Sequence, residues 1–221
     1  MKILALEFSS PQRSAAVVQT LTVAGKLAVG EAIETIAHAT NALGLVEEAL
    51  RQAQLDRTQI ECVAVGLGPG SYNGIRLSLA LAQGWQLARE VKLLGITTAE
   101  CLAAEAQAAR ISGHAHVVID AQRGEFYLAS YDLSQKACRE IEPLRLASLQ
   151  DVQARLQTGG VIIGPEVTKW FPGSRVLFPR ASTLGRLAQG RTDFVPGEKL
   201  EPIYLRPTQF VKAPPPRIFP S

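Results

Sequence analysis

Short apolar runs separated by turn-forming residues dominate the first hundred residues of the chain. Residues 3–8 and 14–19 are apolar, and the polar or turn-forming residues 9–12 separate them. This pattern predicts a strand, a turn and a second strand. Two further apolar runs, at 60–66 and 93–97, predict two more strands.

A helical pattern with a wide apolar face lies between the second and third of these strands. At 100° per residue, polar side chains collect on the side opposite the apolar ones, which predicts an amphipathic helix from Ala39 to Ala53. The apolar arc consists of Ala39, Ala42, Leu43, Leu45, Val46, Ala49, Leu50 and Ala53.

A second helix, from Ile75 to Glu90, carries two apolar strips instead of one. We expect such a helix to contact two neighbours, because each strip needs its own apolar partner. The first strip is Leu77, Leu81, Trp85 and Ala88, and the second is Ile75, Leu79 and Ala82.

The second half of the chain repeats the opening of the first. Residues 116–120 and 125–132 predict a strand pair around a turn at 121–124, and a further strand, a helix at 148–157 and a strand at 160–164 follow. This repetition predicts a duplicated α/β unit with mixed sheets, divided near residue 100 into lobes 1–100 and 101–221. Seven prolines from about residue 194 predict an extended, partly disordered tail.

Composition narrows the class of protein. The chain has 221 residues, of which 47% are hydrophobic, and a net charge of +3. It is long enough to bury a core without disulfides, and it is not basic enough for a strong nucleic-acid binder. Three scattered cysteines, the lack of a leader-like N-terminus and the lack of a long apolar stretch predict a cytoplasmic protein with no membrane contact.

A glycine-rich segment, GLGPGSYNGIRLSLA at 66–80, is the sharpest local motif. A glycine-rich loop that opens a helix is typical of a phosphate cradle. However, the segment lacks the lysine of a P-loop and matches neither frame of the dinucleotide motif. A tight turn with a helix cap explains it equally well. The candidate loop residues are Gly68, Gly70, Ser71, Asn73, Gly74 and Arg76.

Two carboxylates end matching strands of the two halves. Glu7 and Asp120 would suit Mg-nucleotide chemistry if they faced a cleft between the lobes, together with Arg123 and Glu125 of the turn after Asp120. Turn capping and a local salt bridge are the alternative roles. The sequence contains no HxxxH, HExxH or GxSxG, so it predicts neither a metal site nor a catalytic residue.

Several motifs together resemble those of the TsaB (YeaZ) family. They are ILALEFSS, GLGPGSYNGIRLSLALAQGWQLA, LLGITTAECLA, VVIDAQRGEFYLASYD and PIYLRP, and they extend over essentially the whole chain. The resemblance implies an actin-like ATPase (ASKHA) fold of two RNase H-like lobes. It also implies a noncatalytic scaffold role in tRNA N6-threonylcarbamoyladenosine synthesis.

The resemblance implies partners as well. They are the catalytic paralog TsaD, the ATPase TsaE and, for the chain alone, a second copy, and tRNA is reached indirectly through TsaD. No cofactor is expected to bind tightly to the chain. ATP or ADP with Mg is expected, if at all, only at the interface of the complex. The implied partner surface lies on the first two helices, at Ala42, Leu45, Val46, Ala49, Ile75, Leu79 and Ala82.

The chain departs from the family's pattern in its polar residues. Glu7 stands where the family usually has Asp, and Thr98 and Leu102 align with the two histidines that hold a metal in TsaD. Both changes weaken nucleotide or metal chemistry. The alternative function is an active phosphotransferase or peptidase on the same fold.

Overall fold

A computed structural model describes residues 1–20, 27–35, 40–157 and 159–205. It contains two five-stranded mixed sheets in succession along the chain. The first half comprises β1 (Lys2–Glu7), β2 (Gln12–Thr20), β3 (Leu27–Thr35), α1 (Ala42–Ala53), β4 (Cys62–Gly66), α2 (Tyr72–Arg89) and β5 (Lys92–Ile96). The second comprises α3 (Thr98–Ala108), β6 (Gly113–Asp120), β7 (Glu125–Leu133), β8 (Cys138–Ser148), α4 (Leu149–Gln157), β9 (Val161–Gly164), β10 (Arg175–Val176) and α5 (Ala181–Ala188). Single 3-10 turns lie at Arg57–Gln59, Val167–Lys169 and Gly197–Lys199.

Both sheets have the same topology. The first has the strand order β3-β2-β1-β4-β5, and the second has the corresponding order β8-β7-β6-β9-β10. In each, the first three strands are antiparallel neighbours, and the two later strands add in parallel beside the first. The predicted α/β fold of two similar lobes with mixed sheets is therefore confirmed.

The central strand of the first sheet is buried on both faces. Leu4 and Leu6 pack under α1 and α2, whereas Ile3 and Ala5 face α5 on the other side. This explains why residues 3–8 form a continuous apolar run instead of alternating with polar residues. In the second lobe, α3 and α4 cover opposite faces of the sheet.

The end of the chain returns to the first lobe. α5 packs on β1 and β2, Val195 pairs with Leu93, and the Ile203 amide donates to the Leu67 carbonyl at 2.9 Å. The sequence assigned residues 181–205 to the second lobe, 101–221. In the structure these residues pack on the first lobe instead. Residues 194–205 of the predicted tail run along the first lobe, and its remainder, 206–221, lies outside the described residues.

Two capping side chains start the first-lobe helices. Asn41 accepts a hydrogen bond from the Gly44 amide at 3.1 Å before α1, and Ser71 accepts from the Gly74 amide at 3.3 Å before α2. Such caps satisfy amides that the first helical turn leaves free. None of the helices in the described part of the chain is long and apolar enough to span a bilayer.

Candidate functional site

A cleft of about 500 Å³ lies between the two lobes. It is lined by the loop after β1, the first turn of α2, the loop after β6, and residues 165–166 and 204. We call this the interlobe cleft. Its walls come from corresponding strand ends of the two lobes.

Glu7 does not reach the interlobe cleft. Its side chain is fully buried, and its Oε1 accepts a hydrogen bond from the Ser9 amide at 2.8 Å. Oε2 has no partner among the described residues and lies where a Cβ on Gly66 would come within 2.1 Å of it. Burial raises the pKa of this carboxyl, because the charged form is poorly solvated.

Asp120 does line the interlobe cleft, at the end of β6. Its two carboxylate oxygens accept hydrogen bonds from the amide and the side chain of Gln122, at 2.8 and 2.9 Å. This is the turn-capping alternative. Arg123 and Glu125 belong to the same turn, but neither lines the cleft.

These positions do not fit a magnesium site built on paired carboxylates. Mg²⁺ needs charged oxygen ligands that face one point and keep several waters. Glu7 is sealed beneath the cleft and Asp120 is held by its own turn. Within the described ranges, no three His, Cys, Asp or Glu side chains are grouped so that they could hold a metal ion.

The glycine-rich loop packs against the protein's own backbone. A Cβ on Gly70 would lie 2.2 Å from the Ser9 carbonyl oxygen, and one on Gly74 would lie 1.9 Å from that of Phe8. The Ser71 amide also donates to the Ser9 carbonyl at 2.7 Å. The glycines therefore allow the loop to pack closely against the residues at the end of β1, and this contact explains them without a bound phosphate.

The remaining loop residues have separate roles. Gly68 has a left-handed φ of 88°, and its carbonyl accepts from the Thr98 amide at 2.8 Å. Ser71 is the cap of α2, whereas Asn73 is exposed in the first turn. The Arg76 guanidinium lies 5.2 Å from the centre of the Tyr72 ring.

The sequence did not single out Arg13, Glu166 and Tyr204 as cleft residues. Arg13 donates to Thr40, and its second guanidinium nitrogen lies 3.4 Å from the Ser71 hydroxyl. Glu166 forms an ion pair with Lys169. Tyr204 contacts Tyr72 with ring centres 5.9 Å apart. Tyr204 belongs to the PIYLRP motif, but that motif does not place it in the cleft; the return of the chain end to the first lobe brings it there.

The seven predicted partner-surface residues are not on the surface. Each is at most 8% exposed and belongs to the core between α1, α2 and the first sheet. The reason is that this face of the two helices covers the sheet, so its side chains already have partners within the chain. The corrected residues are Ala42, Leu45, Val46, Ala49, Ile75, Leu79 and Ala82.

The two apolar strips of α2 do not face the way that we expected from the sequence, since the strip predicted to bind a partner covers the sheet. Ile75, Leu79 and Ala82 face the core, whereas Leu77, Leu81 and Trp85 are half-buried and Ala88 is exposed. An apolar groove of about 520 Å³ lies between α1 and α2 on this outer side. We call it the helix groove. It is lined mainly by Leu43, Val46, Ala80, Leu81, Gly84, Trp85 and Ala88.

Two large apolar side chains at the helix groove are exposed, whereas Arg57, Thr58 and Arg89 supply its polar lining. Leu87 is 88% exposed and Leu43 is 57% exposed. Arg76 and Arg89 are the only charged residues within the 18 residues of α2. The sequence signal for this face is the low charge of the whole helix.

The two histidines that the structure describes, His114 and His116, line neither the interlobe cleft nor the helix groove. His116 is buried on β6, where its Nδ1 lies 2.9 Å from the Ser130 hydroxyl, and burial lowers its pKa. His114 is exposed, and His38 lies outside the described residues.

Comparison with known proteins points to one family. Residues 32–189 match the family described as "TsaD: tRNA N6-adenosine threonylcarbamoyltransferase". The Escherichia coli protein named tRNA threonylcarbamoyladenosine biosynthesis protein TsaB is 28% identical over 188 residues, covering 76% of this chain and 80% of that protein. The Haemophilus influenzae protein of the same name is 25% identical over 190 residues, with the same coverage.

A solved structure agrees with the fold. YeaZ from Pseudomonas aeruginosa matches with a TM-score of 0.77 and 24% identity, covering 92% of this chain and 99% of that one. The likeness shows the same arrangement of two lobes. Since the family match spans most of the chain, the protein belongs to that family and is a member of its TsaB (YeaZ) group.

Proposed function

We propose that this chain is a noncatalytic subunit of tRNA threonylcarbamoyladenosine synthesis that binds and supports the catalytic paralog TsaD. Membership in the TsaB group supports a role in the biosynthesis of this tRNA modification. The catalytic step belongs to the partner. The chain contributes a binding surface on its first lobe.

The exposed apolar face of α1 and α2 carries this proposal. The helix groove, Leu43 and Leu87 leave apolar area in water on a helix pair that already covers its sheet. Contiguous apolar surface of this kind, with few charges at its centre, is typical of a protein-protein interface. The groove lies between the two helices, and Leu81 and Trp85 in its wall also pack against the core under them.

The chemistry of the interlobe cleft supports a noncatalytic role. Ser71 caps a helix, Glu7 is sealed away from the cleft, and Asp120 holds its own turn. Arg13 is engaged by Thr40. None of these groups has the geometry of an activated nucleophile with its base. We expect no tightly bound cofactor in the chain alone, and any ATP or ADP with Mg at the joint with a partner.

The same helix face would serve a second copy in the absence of TsaD. Two apolar patches of one kind are self-complementary about a two-fold axis, so a homodimer is the expected state of the isolated chain. TsaD then competes with the second copy for the face, and TsaE joins the resulting pair.

The test replaces the exposed leucines and measures complex formation. Leu43→Glu with Leu87→Glu should abolish co-elution of the tagged chain with co-expressed TsaD in size-exclusion chromatography, because two charges would enter an apolar interface. The matched control is Leu156→Glu on α4, which is 42% exposed in the other lobe. It should leave the complex intact.

Unchanged co-elution of the double variant would overturn the assignment of the interface. Circular dichroism of both variants establishes that the fold is kept, which is expected because the replaced side chains are exposed. Calorimetric titration of the isolated chain with Mg-ATP adds a second readout. Tight binding there would instead favour the phosphotransferase.

A further inference from the structure

A basic concavity of about 300 Å³ lies at the far end of the second lobe. It is formed where α3 ends, where β6 and β9 begin and at the short strand β10. The opposite end of β6 lines the interlobe cleft through Asp120. An eight-residue strand spans about 23 Å, so the two sites are separate.

Three cationic or potentially cationic side chains from different elements meet here. Arg110 follows α3, His114 lies on β6 and Arg175 lies on β10. Together with Ser112 we call them the basic cluster. Among the residues that the structure describes, the lining contains no aspartate or glutamate.

The basic side chains have no acidic partners in the part of the chain that the structure describes. Seven ion pairs are found there, and none involves Arg110, His114 or Arg175. Arginines that stabilise a fold usually pair with a carboxylate or stack on a ring. The cluster therefore keeps its hydrogen-bond donors available to a ligand.

The backbone brings the starts of β6 and β9 close together beside the cluster. Gly160 has a φ of 108°, and a Cβ there would lie 2.7 Å from the His114 carbonyl oxygen. Only glycine allows the start of β9 to lie this close to β6. Arg110 has a left-handed φ of 61° after the end of α3.

Compensation of the α3 dipole accounts for only part of the cluster. A cation at a helix C-terminus is favourable, which explains Arg110. It does not explain Arg175 or His114, because these belong to strands. Their convergence requires a reason outside the helix.

The donor set suits phosphate oxygens. Guanidinium groups present paired N–H donors that match phosphate, and the imidazole and the Ser112 hydroxyl add single donors. Arg110, Ser112, His114 and Arg175 are all exposed. Water screens such a site, so a free anion would bind weakly, whereas a polyanion that makes several contacts would bind measurably.

We propose that the basic cluster binds the phosphodiester backbone of RNA and gives this subunit a direct contact with the tRNA substrate. The inference rests on the proposed function for the identity of the RNA. It differs from the indirect link that the sequence suggested. Backbone contacts of this kind position a substrate and carry no base specificity.

The experiment measures binding of an unmodified tRNA transcript by fluorescence anisotropy over a series of salt concentrations. It uses the full chain, alone and in its complex with TsaD. Each lost phosphate contact lowers the slope of log K against log salt by about 0.7 to 0.9. Arg110→Ala with Arg175→Ala should therefore reduce the slope by about 1.5 and weaken binding at low salt about tenfold or more.

The matched control removes the same charge elsewhere. Arg139 on β8 and Arg186 on α5 are exposed and form no ion pair with the described residues. Arg139→Ala with Arg186→Ala should leave most of the affinity and of the slope unchanged. Equal losses in both double variants, or no loss in the cluster variant, would overturn the proposal.

Two further measurements distinguish the RNA contact from the proposed TsaD interface and from binding of a free anion. The cluster variant should still co-elute with TsaD, because its substitutions lie on the second lobe. Co-elution of the variant Leu43→Glu with Leu87→Glu tests the proposed function, and it does not test the RNA contact. Titration with inorganic phosphate, followed by the NMR signals of the His114 ring, tests for a free anion. If phosphate bound saturably but the cluster variant bound tRNA as well as wild type does, the RNA assignment would be overturned.

Discussion

Glu7 is a carboxyl that the fold keeps away from water. One oxygen accepts the Ser9 amide and the other has no partner among the described residues. Burial raises its pKa, so the protonated form is favoured in the folded chain. A residue that looked like a candidate metal ligand therefore acts as part of the core under the interlobe cleft.

Glu7→Gln should stabilise the protein relative to wild type, and increasingly so as pH rises from the unfolded-state pKa of this carboxyl towards its raised folded-state pKa. A raised folded-state pKa means that this carboxyl's contribution is fully present below the unfolded pKa and is lost as pH rises towards the folded one. Each pH unit in that window costs wild type about 1.4 kcal/mol, which glutamine avoids. Urea unfolding at several pH values measures the difference.

Glu90→Gln provides the control for this substitution. Glu90 is an exposed residue just after α2, and its replacement should give a difference from wild type that stays flat over the same pH range. If the difference between Glu7→Gln and wild type also stayed flat, the raised pKa of this buried carboxyl would be contradicted.

Single-residue roles were predictable where they depend on local chain geometry. The cap at Ser71 and the capping role of Asp120 follow from neighbours within three residues. The burial of Glu7 was not predictable, because it depends on Gly66 in the next strand. His116 is a similar case, since Ser130 on β7 shields it.

At the scale of elements, periodicity located both first-lobe helices but did not tell their faces apart. α2 has two apolar strips, and hydrophobicity alone does not say which one covers the sheet. The structure selects Ile75, Leu79 and Ala82 for the core. The deciding factor is the loop before α2, which sets the rotation of the helix by its contact with β1.

Gly74 fixes this rotation through its contact with Phe8. Gly74→Ala should destabilise the protein by about 1 to 3 kcal/mol, because the new Cβ would lie 1.9 Å from the Phe8 carbonyl oxygen and the backbone must shift. Chemical denaturation of the isolated chain measures this effect.

Gly84 on the same helix is the matched site. No atom of the described residues lies within 4 Å of a Cβ built there. Gly84→Ala should therefore stabilise the chain by up to about 1 kcal/mol through helix propensity alone. Equal effects of the two alanines would show that the loop contact does not determine how α2 is placed.

At the scale of the whole molecule, the duplicated unit was predictable and the path of the chain end was not. The first two strands of each sheet are antiparallel and have the same apolar pattern. Local sequence therefore predicts that the two lobes are similar. β3, α3, α5 and the two-residue strand β10 were not predicted. α5 has eight residues, and its partners β1 and β2 lie more than 150 residues earlier, beyond the reach of any local pattern.

The last helix makes the stability of the first lobe depend on residues from the end of the chain. Leu184 on α5 is fully buried against Ile3, Ala5 and their neighbours. Glu31 of β3 adds a polar link, since its carboxylate accepts the Ser182 amide at 2.9 Å and pairs with Arg180. A defect in α5 should therefore appear in the first sheet.

Leu184→Ala should destabilise the protein by about 2 to 5 kcal/mol and remove amide protection first from β1 and β2. Native-state hydrogen exchange resolves where protection is lost. Leu128→Ala is the counterpart, because Leu128 is buried in the second lobe and its loss should affect β6 and β7 first. If Leu184→Ala instead loosened the second sheet before the first, α5 would belong energetically to the lobe that precedes it in sequence.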